Sequence, residues 1–285
     1  MGYSRVRRHV NRFLLYFVLI VTTVVMVGPF VWLVLSSLKE KQDMYSIHPT
    51  PFARRKDTGR IYVTFENYTE AFDFLDFPLL AKNTLIVAII NTSVNLLLNS
   101  MAGYAFARIN FPGRDKIFKI MLMSLMVPAT VLLIPNLLMV KTLGMYNTKS
   151  ALIFPFVMSV YNVFMMRQFF MGVPASLEEA ARVDGAGRFR TFFQIVLPLV
   201  RPAVVTQGVF TFLWNYNNFL WPLVALIDKK NYTLALGLGS LVTVGNTRYH
   251  VLIASSVVVA LPLIVLFLIF QRYIVEGIMA GSLKG

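Results

Sequence analysis

Apolar residues gather in six long runs, approximately Leu14 to Leu38, Thr84 to Ala107, Ile117 to Val140, Ala151 to Phe170, Pro202 to Ile227 and Val251 to Ile274. A hydrocarbon core about 30 Å thick is crossed by about 20 apolar residues rising about 1.5 Å each, so each run predicts one transmembrane helix. The fold expected is an all-α polytopic membrane protein, a single transmembrane domain over residues 1–285, with an organised loop at 172–201. Arg5, Arg7, Arg8 and Arg12 precede the first run as in a signal peptide. Its apolar stretch is too long for such a peptide and no A-x-A site follows, which predicts a retained anchor.

Polar residues inside the runs fall in stripes. Asn91, Asn95 and Asn99 recur every fourth residue in the second run, and Gln207, Thr211, Asn215 and Asn218 share one face of the fifth. Amides in lipid are unfavourable unless they find partners. One reading is hydrogen bonding between helices; the other is a pathway for a hydroxyl-rich solute. In the fifth run Trp214, Tyr216 and Trp221 stand among the amides. Aromatic faces beside hydrogen-bonding groups suit a sugar, although aromatics near a helix end also anchor at the membrane interface.

Charge sets the expected orientation. With the N-terminus inside, the inner segments hold 15 basic residues against five acids, and the outer segments hold 12 against eight. Seven of the outer cations lie in the long first loop, where the positive-inside rule is weak, so both termini are expected in the cytoplasm. The formal net charge of +14 is thereby an orientation signal and a match to anionic lipid, with no bearing on nucleic acid. Hydrophobic residues make up 57% of the chain and charged ones 14%, proportions outside the soluble range.

Several chemistries are excluded. There is no cysteine, and His9, His48 and His250 stand far apart, so neither disulfides nor a metal-binding pair is expected. No Asp or Glu lies in any of the six runs, which argues against a proton-coupled secondary carrier. Arg167, near the inner end of the fourth run, is expected to snorkel. Neither a G-x-S-x-G elbow nor a clustered catalytic set is present, which argues against a membrane-embedded enzyme. The absence of G-x-x-x-x-G-K-[ST] excludes a nucleotide-binding domain of its own.

The most informative segment is Gly172 to Pro202, GVPASLEEAARVDGAGRFRTFFQIVLPLVRP. Ser176 followed by Glu179 has the form of a capping box, predicting a helix from Leu177 to about Asp184 that Gly185 ends. A second helix is expected from about Arg188. Two turns of helix are unstable alone in water, so the first needs a surface to pack on, either a partner protein or the bilayer.

Glu179-Ala180-Ala181, Gly185, Ile195 and Leu197-Pro198 match the pattern E-A-A-x3-G-x9-I-x-L-P at every fixed position. The chain therefore resembles the permease subunits of ABC importers, in the carbohydrate branch that includes the second permease of maltose-type systems. Glu66-Asn67-Tyr68, Gly103 to Arg108, Leu143-Gly144, Asn147-Thr148 and the tail from Gln271 to Gly285 are similar to that branch as well. The resemblance implies a type I importer fold of six transmembrane helices in a prokaryotic cytoplasmic membrane. It implies a coupling helix that docks on an ABC ATPase dimer through Ser176, Glu179, Ala180, Ala181, Asp184 and Gly185, with a tail, 281–285, that reaches toward the same ATPase. Further implied partners are a second homologous permease subunit and an extracellular solute-binding protein that meets Tyr62 to Phe74 and the loop from Asn231 to Arg248. ATP and Mg would be bound by the ATPase and no cofactor by this chain. The expected cargo is a sugar or oligosaccharide passing Asn95, Gln207, Thr211, Trp214, Asn215 and Asn218; glycerol phosphate or another polyol is the alternative within the branch. A receptor that only senses ligand remains open on sequence.

Overall fold

The computed structural model describes residues 2–44, 50, 52, 60–242 and 247–282. Among them every regular element is a helix: α1 (Gly2–Ser37), α2 (Lys41–Met44), α3 (Glu66–Phe74), α4 (Phe77–Arg108), α5 (Arg114–Ser124), α6 (Leu133–Thr142) and α7 (Lys149–Phe156). There follow α8 (Val160–Met171), α9 (Ala175–Val183), α10 (Arg188–Leu199), α11 (Arg201–Asn217), α12 (Leu220–Ala225), α13 (Leu234–Gly239) and α14 (Tyr249–Ser282). Among the described residues three helices are each long and apolar enough to cross a membrane, Asn11–Ser37, Phe77–Arg108 and Tyr249–Val275. The pairs α7–α8 and α10–α11 also qualify as bent spans, with angles of 46° and 82°.

The third apolar run departs from the expected single helix. It divides into α5 and α6 around Pro128, which lacks a donor and disfavours helix in the residue before it. The fifth run also divides. Asn218 leaves the helix with ψ near 117°, so the four-residue stripe becomes a three-residue stripe of Gln207, Thr211 and Asn215 on α11. The Asn218 side-chain oxygen instead accepts from the Trp221 N–H (3.3 Å) in the first turn of α12, where Pro222 is tolerated.

The chain forms two units, Met1–Leu75 with Leu241–Leu261, and Asp76–Ser240 with Pro262–Gly285. In the first, the side chains of α1 are exposed from Asn11 to Trp32. One buried amide fixes the chain where α1 ends: Asn67 Nδ2 donates to Ser37 O (2.8 Å) and to Lys39 O (2.7 Å) just beyond the helix. Tyr68 Oη and Ser37 Oγ share a further bond of 2.6 Å. One turn on, the Glu70 carboxylate meets Lys41 Nζ (2.5 Å), His250 Nε2 (3.2 Å) and Arg248 Nη1 (3.3 Å).

The Lys41 ammonium, helped by the His250 ring, holds the Glu70 carboxyl below its ordinary value of 4.5, against burial that raises it. A depressed carboxyl stabilises the fold above its unfolded pKa and loses that contribution as pH falls through the folded one. The protection factors for hydrogen exchange at the start of α14 should therefore hold at neutral pH and fall only below about pH 4. Glu70→Gln should show the lower protection already at pH 7. Equal protection in the two proteins at pH 7 would exclude this role for Glu70.

The second unit is built on α4. Asp76 caps it, accepting from Leu79 N at 3.3 Å, and its 32 residues run without a break. Near its start Asn83 Nδ2 donates to Lys230 O (2.8 Å) and Tyr232 O (3.0 Å), and Thr84 Oγ1 accepts from Leu234 N (2.8 Å), which fixes α13. A core of Val87, Val140, Ala151, Leu152, Trp221, Ala225 and Leu236 fills this end. Near the other end Gly103 meets α8, where a Cβ would stand 2.7 Å from the Met166 Cβ, so only glycine allows this approach. Asn147 takes the left-handed region (φ 61°). Its Oδ1 accepts from Ile227 N and Asp228 N (2.9 and 3.0 Å), joining the loop before α7 to the loop after α12.

Candidate functional site

Pro155 decides the geometry at the centre of the second unit. Its missing N–H leaves Ala151 O without the usual helical donor, and the chain bends just beyond it, between Phe156 and Val160. The indole of Trp221 donates to Ala151 O at 2.9 Å in its place. The asparagine stripe of α4 serves the other backbone groups that the bend sets free. Asn91 Nδ2 donates to Ile153 O (3.2 Å) and Asn95 Nδ2 to Phe156 O (3.0 Å), while Asn99 Oδ1 accepts from Ser159 N (3.1 Å). Asn95 Oδ1 then accepts from Asn99 Nδ2 (2.5 Å) and Asn162 Nδ2 (2.8 Å), and Asn162 also donates to Thr211 Oγ1 (3.2 Å) on α11.

This network walls a cavity of about 350 Å³ between α4, the α7–α8 bend and α11. Its lining is Asn91, Asn95, Phe156, Met158, Ser159, Tyr161, Asn162, Phe210, Thr211, Trp214 and Asn215. No lining residue is ionisable at neutral pH. Trp214 is half exposed and packs edge-on against Phe156, with ring centroids 5.0 Å apart. Tyr216 and Trp221, expected beside the amides or at the membrane interface, are instead core residues, 1% and 4% exposed.

Of the pathway residues proposed from sequence, Asn95, Thr211, Trp214 and Asn215 meet at this cavity. Gln207 is buried one turn away on α11, and Asn218 borders a separate small pocket beside Trp221 and Thr233. Asn162, Ser159, Phe156 and Tyr161 were missed. The legible signal for them was Pro155 inside an apolar run, which marks a broken helix with polar groups to satisfy.

A second cluster lies at the far end of α4. The helix α9 begins at Ala175, with Pro174 preceding it, so Ser176 is already helical and forms no cap. The expected capping box is absent because Pro174, with ψ near 130°, sets the helix start one residue ahead of Ser176. The left-handed end at Gly185 is present (φ 75°), and Ala186 N closes back on Ala181 O at 2.9 Å.

One face of α9 is tied down. Glu178 Oε1 pairs with Arg108 Nε (3.0 Å), and Glu178 Oε2 accepts from Tyr104 Oη (2.9 Å), both on the last turns of α4. The Arg108 guanidinium also donates to Phe170 O (2.8 Å) and Val173 O. Ala181, expected beside Ala180 on a partner-facing surface, is 5% exposed and packs inward. Ser176, Glu179, Ala180, Asp184 and Gly185 are exposed, together with Leu177, Val183 (88%) and, on α10, Phe189 (70%). The Arg167 side chain is held by its neighbours: its Nε donates to Phe106 O (3.2 Å) and its guanidinium lies over the Phe118 ring. Within α10, residues Phe192–Val196 form a π-helical turn before Pro198. The tail expected at 281–285 lies beyond the described residues after Ser282, and 243–246 of the Asn231 to Arg248 loop are likewise outside them.

Residues 99–279 match the family described as the inner membrane component of binding-protein-dependent transport systems. The arabinooligosaccharides transport system permease protein AraQ of Bacillus subtilis is 35% identical over 260 residues, covering 90% of each chain. The lactose transport system permease protein LacG of Rhizobium radiobacter is 30% identical and covers 99% of each. Among solved structures, a chain of a bacterial ABC transporter that imports the acidic polysaccharide alginate has the same fold, with a TM-score of 0.80 at 20% identity. That match covers 96% of this chain and 98% of the other.

Proposed function

This chain belongs to the inner membrane components of binding-protein-dependent transport systems, and from that premise we propose that it is a permease subunit passing a neutral saccharide through the amide-lined cavity. The observation that carries the cargo class is the lining. Asparagine and threonine groups stand beside Trp214, Tyr161 and Phe156, with no side chain among them that carries a charge at neutral pH. Amides bond hydroxyls, aromatic faces take the C–H faces of a pyranose, and nothing in the lining would neutralise a carboxylate or phosphate. AraQ and LacG, by their names, serve neutral saccharides too.

Energy for transport comes from an ATPase dimer, which holds ATP and Mg. A second homologous permease completes the pathway, and an extracellular binding protein delivers the cargo. Both termini face the cytoplasm in this reading, which puts α9 on the ATPase side. Leu177, Ala180, Val183 and Asp184 form its free surface for the ATPase, flanked by Glu179 and Gly185. The Glu178 anchor explains how a push on α9 reaches the cargo. It grips Arg108 and Tyr104, and α4 continues unbroken to Asn95, a helical distance of about 20 Å. Movement of α9 thereby shifts the cavity wall against α11, the step that alternating access requires.

The test is uptake into proteoliposomes holding the whole transporter with its binding protein. Labelled neutral oligosaccharides should accumulate with ATP, and their uronic acid or phosphorylated counterparts should enter at least tenfold more slowly. Faster entry of the acidic forms would overturn the assignment of cargo class.

A further inference from the structure

At the cavity Asn91, Asn95 and Asn162 each donate to a partner within the chain, although Asn91 Oδ1 is buried without one, whereas the next amide along α11 is bonded at neither atom. Gln207, one turn from Thr211, is 9% exposed, and both its Oε1 and its Nε2 are buried without a hydrogen-bond partner. Gly208 beside it packs on Leu96 of α4, where a Cβ would stand 3.0 Å from Leu96 Cδ1. Ser100, one turn from Leu96 on the same face of α4, is 2% exposed and has a buried Oγ without a partner. The α4–α11 seam therefore closes tightly at a level where it leaves uncompensated polar atoms on both helices. A buried amide with neither atom bonded destabilises the state that contains it relative to an apolar side chain of the same length.

We propose that Gln207 is a cargo-contacting residue of the opened seam: when α4 and α11 part beyond the cavity, its amide bonds the hydroxyl groups of the departing saccharide. This deepens the saccharide-permease reading and rests on it. Gln207 lies beyond the cavity, along α11 toward Arg201 and the α10 side, so it serves the exit step and not the first capture at Asn215 and Trp214. The amide gains its partners only in the open, loaded state. It thereby favours passage over closure, and its cost falls on the closed resting state. A residue kept for packing has the opposite signature, since removing it would weaken the closed state.

Gln207→Met, which matches the side chain in length and lacks the amide, separates the two roles in the assembled transporter. The thermal midpoint of the complex should stay level or rise by roughly 2–4 °C, while the maximal rate of saccharide uptake falls at least tenfold. Gln207→Asn, which keeps an amide, should restore part of the rate. A midpoint lowered by several degrees, failure of the Met variant to assemble, or undiminished uptake would each overturn the proposal. Absence of uptake by the unmodified transporter would instead refute the saccharide reading, and the stability comparison does not depend on which cargo is used.

Discussion

Glu178→Ala should reduce ATP-driven uptake by tenfold or more while the chain still inserts in the membrane. The Glu178 and Arg108 side chains are only 11% and 16% exposed, and the carboxylate also holds the Tyr104 hydroxyl. Removing it leaves a guanidinium enclosed without its counter-charge, and breaking such a pair by deleting one partner costs about 3–5 kcal/mol. The loss is local to the joint between α9 and α4, because the apolar contacts of Tyr104 with Phe170 and Phe192 remain. With that joint loose, a displaced α9 no longer drags α4, so ATP hydrolysis should continue without moving cargo. Glu178→Gln keeps an acceptor for Tyr104 and should retain an intermediate rate. Glu179→Ala alters only an exposed side chain and should have a smaller effect on the joint itself. Uptake by the Glu178→Ala transporter at the unmodified rate would show that α9 is not coupled to the cavity through this pair.

Glu178 also shows where reading the sequence stops. The pattern S-x-x-E drew attention to Glu179 as the partner of a capping hydroxyl, and the helix instead begins beside Pro174. Glu178 owes its role to Arg108 and Tyr104, 70 and 74 residues earlier in the chain, an approach that no local spacing encodes. The apolar runs were legible because lipid demands about 20 apolar residues for each crossing. The prolines within them, Pro128, Pro155 and Pro222, signal breaks without fixing where the chain leaves the helix, because membrane segments tolerate proline when other groups satisfy the freed backbone. Trp221 does so at Ala151, so an indole that resembles an interfacial anchor in sequence is a buried structural donor. Periodicity likewise showed that Asn91, Asn95 and Asn99 share a face, while the receiving carbonyls come from a bend about 60 residues away. Gly185 was legible for the reverse reason, since a left-handed helix end is a local demand that glycine meets.

Asn95→Leu and Asn215→Ala should separate the two meanings of an amide in this cavity. The first removes the donor to Phe156 O and the shared acceptor of Asn99 and Asn162. Each buried group left unpaired costs about 1–3 kcal/mol, so a loss of about 3 kcal/mol or more is expected, with release of the α7–α8 bend. Thermal unfolding of the solubilised transporter should register that loss as a large drop, and uptake should fail together with the fold. Asn215 Nδ2 turns back to Thr211 O in its own helix at 2.7 Å, a bond whose removal costs about 1 kcal/mol. Its side chain borders the cavity beside Trp214, so Asn215→Ala should leave the unfolding midpoint within a few degrees and still slow uptake several-fold. The division expected of the two amides is that Asn95 braces a broken helix at the cavity wall while Asn215 meets what passes through it. A large midpoint loss for Asn215→Ala, or a near-normal midpoint for Asn95→Leu, would reverse that division and place the cargo contact on α4.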